Sequence, residues 1–334
     1  MSPEEKIKQL SREAGFDLCG IASLASPPEH LRLLIPWLTA GRHADMTWME
    51  RQSEKRLDPT QVLAGAQSLI CVALIYNTDH PYSTDPFPLD GRAQTRGPGN
   101  EGKGWISRYA WGEDYHRVMA RKLASLEHSL REEIDARAGY RSYCDTGPVS
   151  EKAWAAAAGL GWQGKNTNLI NRGLGSWLFL GEILTTLALA PDPPAADHCG
   201  TCTRCLDACP TKAFPRAYEL DAARCLSYLT IEKRGELPAE FTGSLGANIY
   251  GCDICQDVCP WNRERVLGTE PAFEPRPGLL TPELDELKVM DEATFASRFM
   301  DSAIRRTKAS GLRRNAALAQ RPGGADSPTP TRKP

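Results

Sequence analysis

The sequence predicts a mixed α/β or α+β first domain, followed by a compact cysteine-rich module and a short helical C-terminal segment. Three observations carry this. Apolar, β-branched runs alternate with amphipathic stretches through the first half of the chain; eight of the eleven cysteines crowd between Cys199 and Cys259; and Thr281 to Gln320 has helical spacing without strand signals. The expected units are 1–190, 191–265 beginning in the Pro-rich APDPPAAD, 266–320, and a Pro/Gly-rich tail at 321–334 expected to be disordered.

Taken in order, residues 4–14 have the spacing of a short amphipathic helix that Gly15 can end. Ser68 to Tyr76, SLICVALIY, is a continuous apolar run suited to a strand buried on both faces. Asn77 to Gly104 is rich in Pro, Gly and Asp and reads as a long loop. Tyr115 to Ala138 carries Val118, Leu123, Leu126 and Leu130 at helical spacings. A strand at Arg141 to Cys144, the turn Asp145-Thr146-Gly147-Pro148, and a helix from Val149 to Ala158 stopped by Gly159 follow. Further strands are expected at Asn168 to Ile170 and Trp177 to Leu189.

The longest apolar run, Trp177 to Ala190, is broken by Glu182 and falls short of the roughly 20 residues that span a bilayer. The charged start MSPEEKIKQLSREAGF has no apolar stretch of signal-peptide type, so the expected compartment is the cytoplasm, with no membrane attachment. A formal net charge of −2 gives no global attraction to nucleic acid, so any such contact falls to local patches such as Arg305, Arg306, Lys308, Arg313 and Arg314.

Cysteines crowded into one part of a large chain in a reducing compartment point to metal rather than disulfides. Cys199-x2-Cys202-x2-Cys205-x3-Cys209-Pro210 fits the bacterial ferredoxin run, in which three thiolates hold one [4Fe–4S] cluster and the fourth, before proline, holds a second. Cys225 and then Cys252-x2-Cys255-x3-Cys259-Pro260 supply the other half. By that crossing rule, Cys199, Cys202, Cys205 and Cys259 bind one cluster, and Cys209, Cys225, Cys252 and Cys255 the other. Residues 226–251 are inserted where a minimal ferredoxin has a much shorter link. Structural zinc is the alternative, but two tetrahedral sites do not explain two Cys-x3-Cys-Pro endings. Cys19, Cys71 and Cys144 lie outside the pattern and read as buried thiols.

Two motifs point elsewhere and are set aside. Gly159 to Asn166, GLGWQGKN, nearly matches a phosphate-binding loop, but Asn166 replaces the magnesium-binding hydroxyl, and the segment follows a helix instead of a strand. His116 at the start of a predicted helix reads as a cap or surface residue rather than a metal ligand.

Ser107-Arg108-Tyr109-Ala110-Trp111-Gly112-Glu113-Asp114-Tyr115-His116, Asp145-Thr146-Gly147-Pro148, Gly159-Leu160-Gly161-Trp162, Gly164-Lys165-Asn166 and the cysteine order together resemble the epoxyqueuosine reductase family over nearly the whole chain. The resemblance implies a cobalamin-binding first domain akin to those of reductive dehalogenases, a ferredoxin-like dicluster module, and C-terminal helices of HEAT-like type. It implies reduction of epoxyqueuosine to queuosine at the tRNA wobble position, with the clusters reducing cob(II)alamin to cob(I)alamin and an external low-potential donor supplying electrons. It points to Asp145 as the acid, and the expectation is that desolvation raises its pKa. It also implies cobalamin contacts at Arg56, Ser107, Asp145, Lys165, Asn168, Thr185 and Ser227, and tRNA phosphate contacts at Lys233, Arg234, Arg313 and Arg314. The expected state is a monomer. The alternatives are a cobalamin-dependent reductase of small molecules, such as a dehalogenase, and a dicluster electron carrier without its own substrate.

Overall fold

The computed structural model describes residues 1–84, 102–264 and 266–319. Most of the expected loop between Asn77 and Gly104, and the tail 321–334, lie outside the described residues.

Helix α1 (Pro3–Glu13) starts on a capping box: the Ser2 hydroxyl accepts from the Glu5 amide while the Glu5 carboxylate accepts from the Ser2 amide. It ends where expected, with Gly15 in the left-handed region at φ 84°. Strand β1 (Leu18–Ser23) was not legible in the sequence, because its small residues, LCGIAS, give neither an apolar run nor alternation. Strand β2 (Ser68–Ile75) is buried at every position.

After the short strand β3 (Trp105–Ile106), helix α2 (Tyr115–Glu133) is capped by the Asp114 carboxylate. It stops before the expected Ala138, and the Asp135 carboxylate accepts from the Arg137 amide, closing a competing turn. Strand β4 (Tyr140–Tyr143) leads through the Asp145 turn into helix α3 (Glu151–Ala157), after which Gly159 adopts φ 79°. A two-stranded ribbon, β5 (Trp162–Gln163) and β6 (Leu169–Ile170), precedes strand β7 (Leu178–Thr185). Beyond Thr185 the chain turns away as the Thr185 hydroxyl accepts from the Leu187 amide.

The main sheet has the order β1-β2-β7-β4, with every neighbouring pair antiparallel. Helices cover both faces, which is why β2 reads as a continuous apolar run even though the sheet is antiparallel. Ile70, Val72 and Leu74 face one way and join Ile7 and Leu10 of α1 and Leu123, Leu126 and Leu130 of α2. Leu69, Cys71 and Ala73 face the other way and pack with Trp154 of α3, Leu180 and Leu184.

The cysteine module contributes helix α4 (Leu226–Ile231) and strand β8 (Asn248–Tyr250), and β8 pairs in parallel with β3. The C-terminal segment is helical, as expected: Leu284–Lys288, Glu292–Arg298 and helix α5 (Lys308–Leu318). Its Leu284, Phe295, Phe299, Leu312 and Ala316 share one core with Trp105, Ile106, Trp111, Ile249 and Tyr250. Among the described residues, no helix is long and apolar enough to cross a membrane.

Strand β1 crosses the end of α3 so closely that a Cβ at Gly20 would collide with the Ala158 carbonyl oxygen and the Leu160 side chain. Gly20→Ala is therefore expected to destabilise the fold by about 1–3 kcal/mol through overpacking, read as a lower urea midpoint. An unchanged midpoint contradicts this packing.

Candidate functional site

The cysteine module folds into two groups of thiols. Short helical turns at Arg204–Asp207 and Ile254–Asp257 carry Cys205 and Cys255. Cys199, Cys202, Cys205 and Cys259 border one cavity of about 220 Å³, together with Lys165, Asn166 and Trp261. Burial and then the Cys255 and Cys225 thiols push the Cys252 thiol up, while burial and then Cys225, Cys205 and Cys209 do the same to Cys255. Cys252 and Cys255 thus lie near Cys225, and Cys255 also feels Cys209 and Cys205, so the two groups of thiols adjoin. Half-buried thiols so grouped are poor anions alone and good ligands for a cationic iron core, which relieves their repulsion. N–H groups already point at the sulfurs: Trp162 Nε1 to Cys199 at 3.4 Å, the Ala213 amide to Cys209 at 3.2 Å, and Asn168 Nδ2 to Cys255 at 3.8 Å. Among the described residues, no group of three or more His, Cys, Asp or Glu has single-ion ligating geometry.

The near phosphate loop has a different use. Lys165 Nζ donates to the carbonyls of Gly200 (2.6 Å) and Cys202 (3.0 Å), and Asn166 Nδ2 donates to the Cys255 carbonyl at 3.2 Å. This segment therefore binds the first domain to both cysteine groups.

Asp145 occupies the turn between β4 and α3 with its backbone in the left-handed region, φ 60°. Its Oδ2 accepts from Tyr115 Oη at 2.8 Å and lies 3.3 Å from His116 Nε2, while His116 Nδ1 is 2.7 Å from Asp114 Oδ1. Tyr115 stacks on Phe179 of β7, with centroids 4.4 Å apart and planes 5° apart. The Asp145 amide donates to the Glu151 carboxylate. Burial works against charge on the His116 ring, but Asp114 and Asp145 outweigh it and push the ring up to about 9. In return, the His116 hydrogen bond holds Asp145 below the ordinary aspartate range; burial opposes this and Tyr115 adds to it. The expectation that desolvation raises Asp145 is thus corrected: its side chain opens to the cleft and has two donors on one oxygen.

Two cavities meet at this turn. One, of about 800 Å³, is lined by Leu31, Trp37, Arg56, Val149, Gln163 and Tyr218; the other, of about 260 Å³, by Tyr76, Tyr109, Asn168, Phe179 and Gln256. Asp145, Glu151 and Lys152 line both. Arg56 Nη1 donates to the Val149 carbonyl at 3.1 Å, whereas its buried Nε has no partner among the described residues. Lys152 Nζ donates to Asn168 Oδ1 at 3.2 Å, and Asn168 faces Cys255. One side of the cleft therefore adjoins the second cysteine group.

Of the expected cofactor contacts, the structure brings Arg56, Asp145 and Asn168 to this cleft. Ser227 sits in α4, and its hydroxyl bonds the Cys225 thiol. Lys165 lines the first cysteine cavity. Ser107 and Thr185 are buried elsewhere: the Ser107 hydroxyl donates to Asp253, and Thr185 ends β7. Of the expected phosphate contacts, Arg314 donates to the carbonyls of Leu229, Lys233 and Gly235, and Arg234 to those of Ile231, Arg306 and Thr307. Both act as struts between α4 and the C-terminal segment, a role that reading charge along the chain does not reveal. Arg313 spans the Met290 carbonyl and Glu292, and Lys233 pairs with Asp45 at 2.9 Å. Sequence reasoning missed Tyr115, Glu151 and Lys152 and set His116 aside; the signal for the first and last was their place beside Asp114 in the quoted motif.

The family model described as epoxyqueuosine reductase QueG, DUF1730 matches residues 56–146, and the model described as a 4Fe-4S double cluster binding domain matches 198–262. The zinc alternative for the cysteines falls with that second match. An epoxyqueuosine reductase from Synechocystis is 47% identical over 291 residues, covering 86% of this chain and 94% of that protein. One from Gloeobacter violaceus is 46% identical over 320 residues, covering 94% of each. A crystal structure of epoxyqueuosine reductase with an epoxyqueuosine-modified tRNA-Tyr stem loop superposes with TM-score 0.81 at 33% identity, over 94% of this chain and 80% of that one. With the motifs, the fold and the paired cysteine groups, these matches establish that the chain belongs to the epoxyqueuosine reductase family, an oxidoreductase with a double [4Fe–4S] module.

Proposed function

We propose that this chain reduces epoxyqueuosine to queuosine at the wobble position of tRNA, in the cytoplasm, as a monomer fed by an external low-potential electron donor. The observation that carries the reading is the Asp145 turn, set between two joined cavities whose far wall adjoins Cys255. The large cleft, the unpartnered Arg56 Nε inside it and the Asn168 amide between Lys152 and Cys255 suit a broad, amide-rich cobalamin. Cobalamin held there, as cob(I)alamin, would supply a nucleophile for the epoxide carbon.

The chain's own residues do the rest. Cys199, Cys202, Cys205 and Cys259 hold one cluster. Cys209, Cys225, Cys252 and Cys255 hold the other beside the cleft, so electrons would arrive next to Asn168, while Ser227 bonds the Cys225 thiol. Asp145 and His116 together hold one proton at neutral pH, on the ring, and Asp145 is the member open to the cleft that hands it to the departing oxygen. A Bacillus subtilis relative, 32% identical with TM-score 0.80, is known with its catalytic aspartate loop swung out of the active site, which fits a strained turn that closes over substrate. Lys233 and Arg313 are the expected residues best placed to exchange an intrachain carboxylate for a tRNA phosphate.

The test is to supply cobalamin, a low-potential reductant and epoxyqueuosine-containing tRNA, and to read the nucleosides by mass spectrometry. Loss of one oxygen supports the reading; cobalamin binding without that loss returns the small-molecule alternative, and absent binding the electron carrier. Asp145→Asn is expected to keep both clusters and cobalamin binding while turnover stops, and normal turnover removes its assigned role. In a nuclear magnetic resonance titration, the His116 ring should stay charged through neutrality and lose its proton near pH 9. The stability this ring contributes is then full below about pH 6.5 and disappears as pH rises through about 9. Asp114→Asn should lower the midpoint, and a wild-type ring titrating at the ordinary value contradicts the pairing.

A further inference from the structure

Glu182 breaks the longest apolar run of the chain, and it does so on β7, an inner strand of the main sheet. The residue is 0% exposed, and among the described residues no N–H or hydroxyl donor reaches either carboxylate oxygen. What its carboxyl meets is the carboxyl of Glu151. Two carboxylates in contact inside a protein cannot both ionise, and the contact becomes favourable only when one donates a proton to the other. Burial and then the Glu151 charge push Glu182 well above the ordinary glutamate range; burial and then the Asp145 charge push Glu151 to about 7.

The other ionisable groups that bear on the pair do not outweigh its burial, although Lys152 pulls Glu151 down. They are Arg56, Cys71, Tyr115, Cys144, Asp145 and Lys152. The Arg56 guanidinium is turned to the Val149 carbonyl and the Lys152 ammonium to Asn168, while the two thiols are buried and themselves pushed up. Glu182 is sealed from solvent, but Glu151 lines both cavities beside Asp145.

The proposed reaction needs such a group. Turning an epoxide into an alkene breaks both bonds to the oxygen, adds two electrons to the carbon framework, and releases the oxygen as water with two protons. The electrons come from the low-potential donor through the clusters. The Asp145–His116 pair holds one proton, so a second must reach the same oxygen.

We propose that Glu151 delivers this second proton to the departing oxygen, and that Glu182 is the positioning residue that keeps the proton available behind it. The inference rests on the reading of function above, and its test separates the two. Glu182→Gln preserves size and offers an amide N–H to Glu151, so Glu151 ionises at lower pH. The first arm is infrared spectroscopy of the protein with 13C-labelled glutamate, without substrate. A protonated glutamic acid band at neutral pH is expected in the wild type and in Glu151→Gln, and should be lost in Glu182→Gln.

The second arm is the pH profile of oxygen loss from an epoxyqueuosine-modified stem loop. Glu182→Gln is expected to match the wild type at mildly acid pH and to be about tenfold slower at neutral pH, its alkaline limb moved to lower pH. Glu151→Gln should be slow throughout. A rate in Glu182→Gln reduced equally at all pH, a profile unchanged from the wild type, or a wild type without the glutamic acid band overturns the proposal. A wild type that shows the band but removes no oxygen overturns the proposed function, and the donor role with it.

Discussion

The backbone of Asp145 is held in the left-handed region by contacts from both sides of the main sheet. Its carboxylate accepts from Tyr115 and His116 on α2, which packs on one face, and its amide donates to Glu151 on α3, which packs on the other. A left-handed non-glycine residue costs of order 1 kcal/mol or more, so this turn exists because partners on both layers over-determine it. The same contacts set its chemistry. The donors that hold the turn also lower the Asp145 carboxylate, and Asp145 with Asp114 raises His116 in return, so position and charge are set by one arrangement.

Around that turn, the fold joins two chemistries that have to meet. The segment from Gly164 to Asn168 closes a ribbon on the first domain, yet its side chains reach the carbonyls and sulfur of the cysteine module. Glycine serves here because a Cβ at Gly161 or Gly164 would run into Ile170. The cleft is thus walled by the sheet layer on one side and by the module on the other, with Asn168 between Lys152 and Cys255. The C-terminal helices pack on β3 and β8 behind the module, and Arg234 and Arg314 tie α4 to them through backbone carbonyls.

What the sequence made legible follows from how local each signal is. Cysteine spacing is a local code and revealed the module, including the cavity that Cys259 shares with Cys199, Cys202 and Cys205. The runs of β2 and β7 announced buried strands, but strand direction is a long-range property, and the antiparallel order was not visible in them. Strand β1 carries small residues because it lies against the end of α3, so the packing that defines it erased its pattern. Asp145 was reached through a motif, but the sign of its pKa shift depends on Tyr115 and His116, about 30 residues away in sequence and adjacent only in the fold. Arg234 and Arg314 illustrate the opposite error: charge reads as surface, and carbonyl partners cannot be seen in a string of letters. Glu182 was noticed only as a break in an apolar run, and its meaning needed Glu151.

The central claim is that the joined cleft at the Asp145 turn is where a corrin meets the second cluster. Diffraction at the cobalt edge from crystals of the cluster-loaded protein with cobalamin tests it most directly. The account predicts an anomalous cobalt peak in that cleft, between Asp145 and Cys255, with Arg56 against the cofactor. A peak elsewhere on the molecule, or none from protein that retains both clusters, contradicts it.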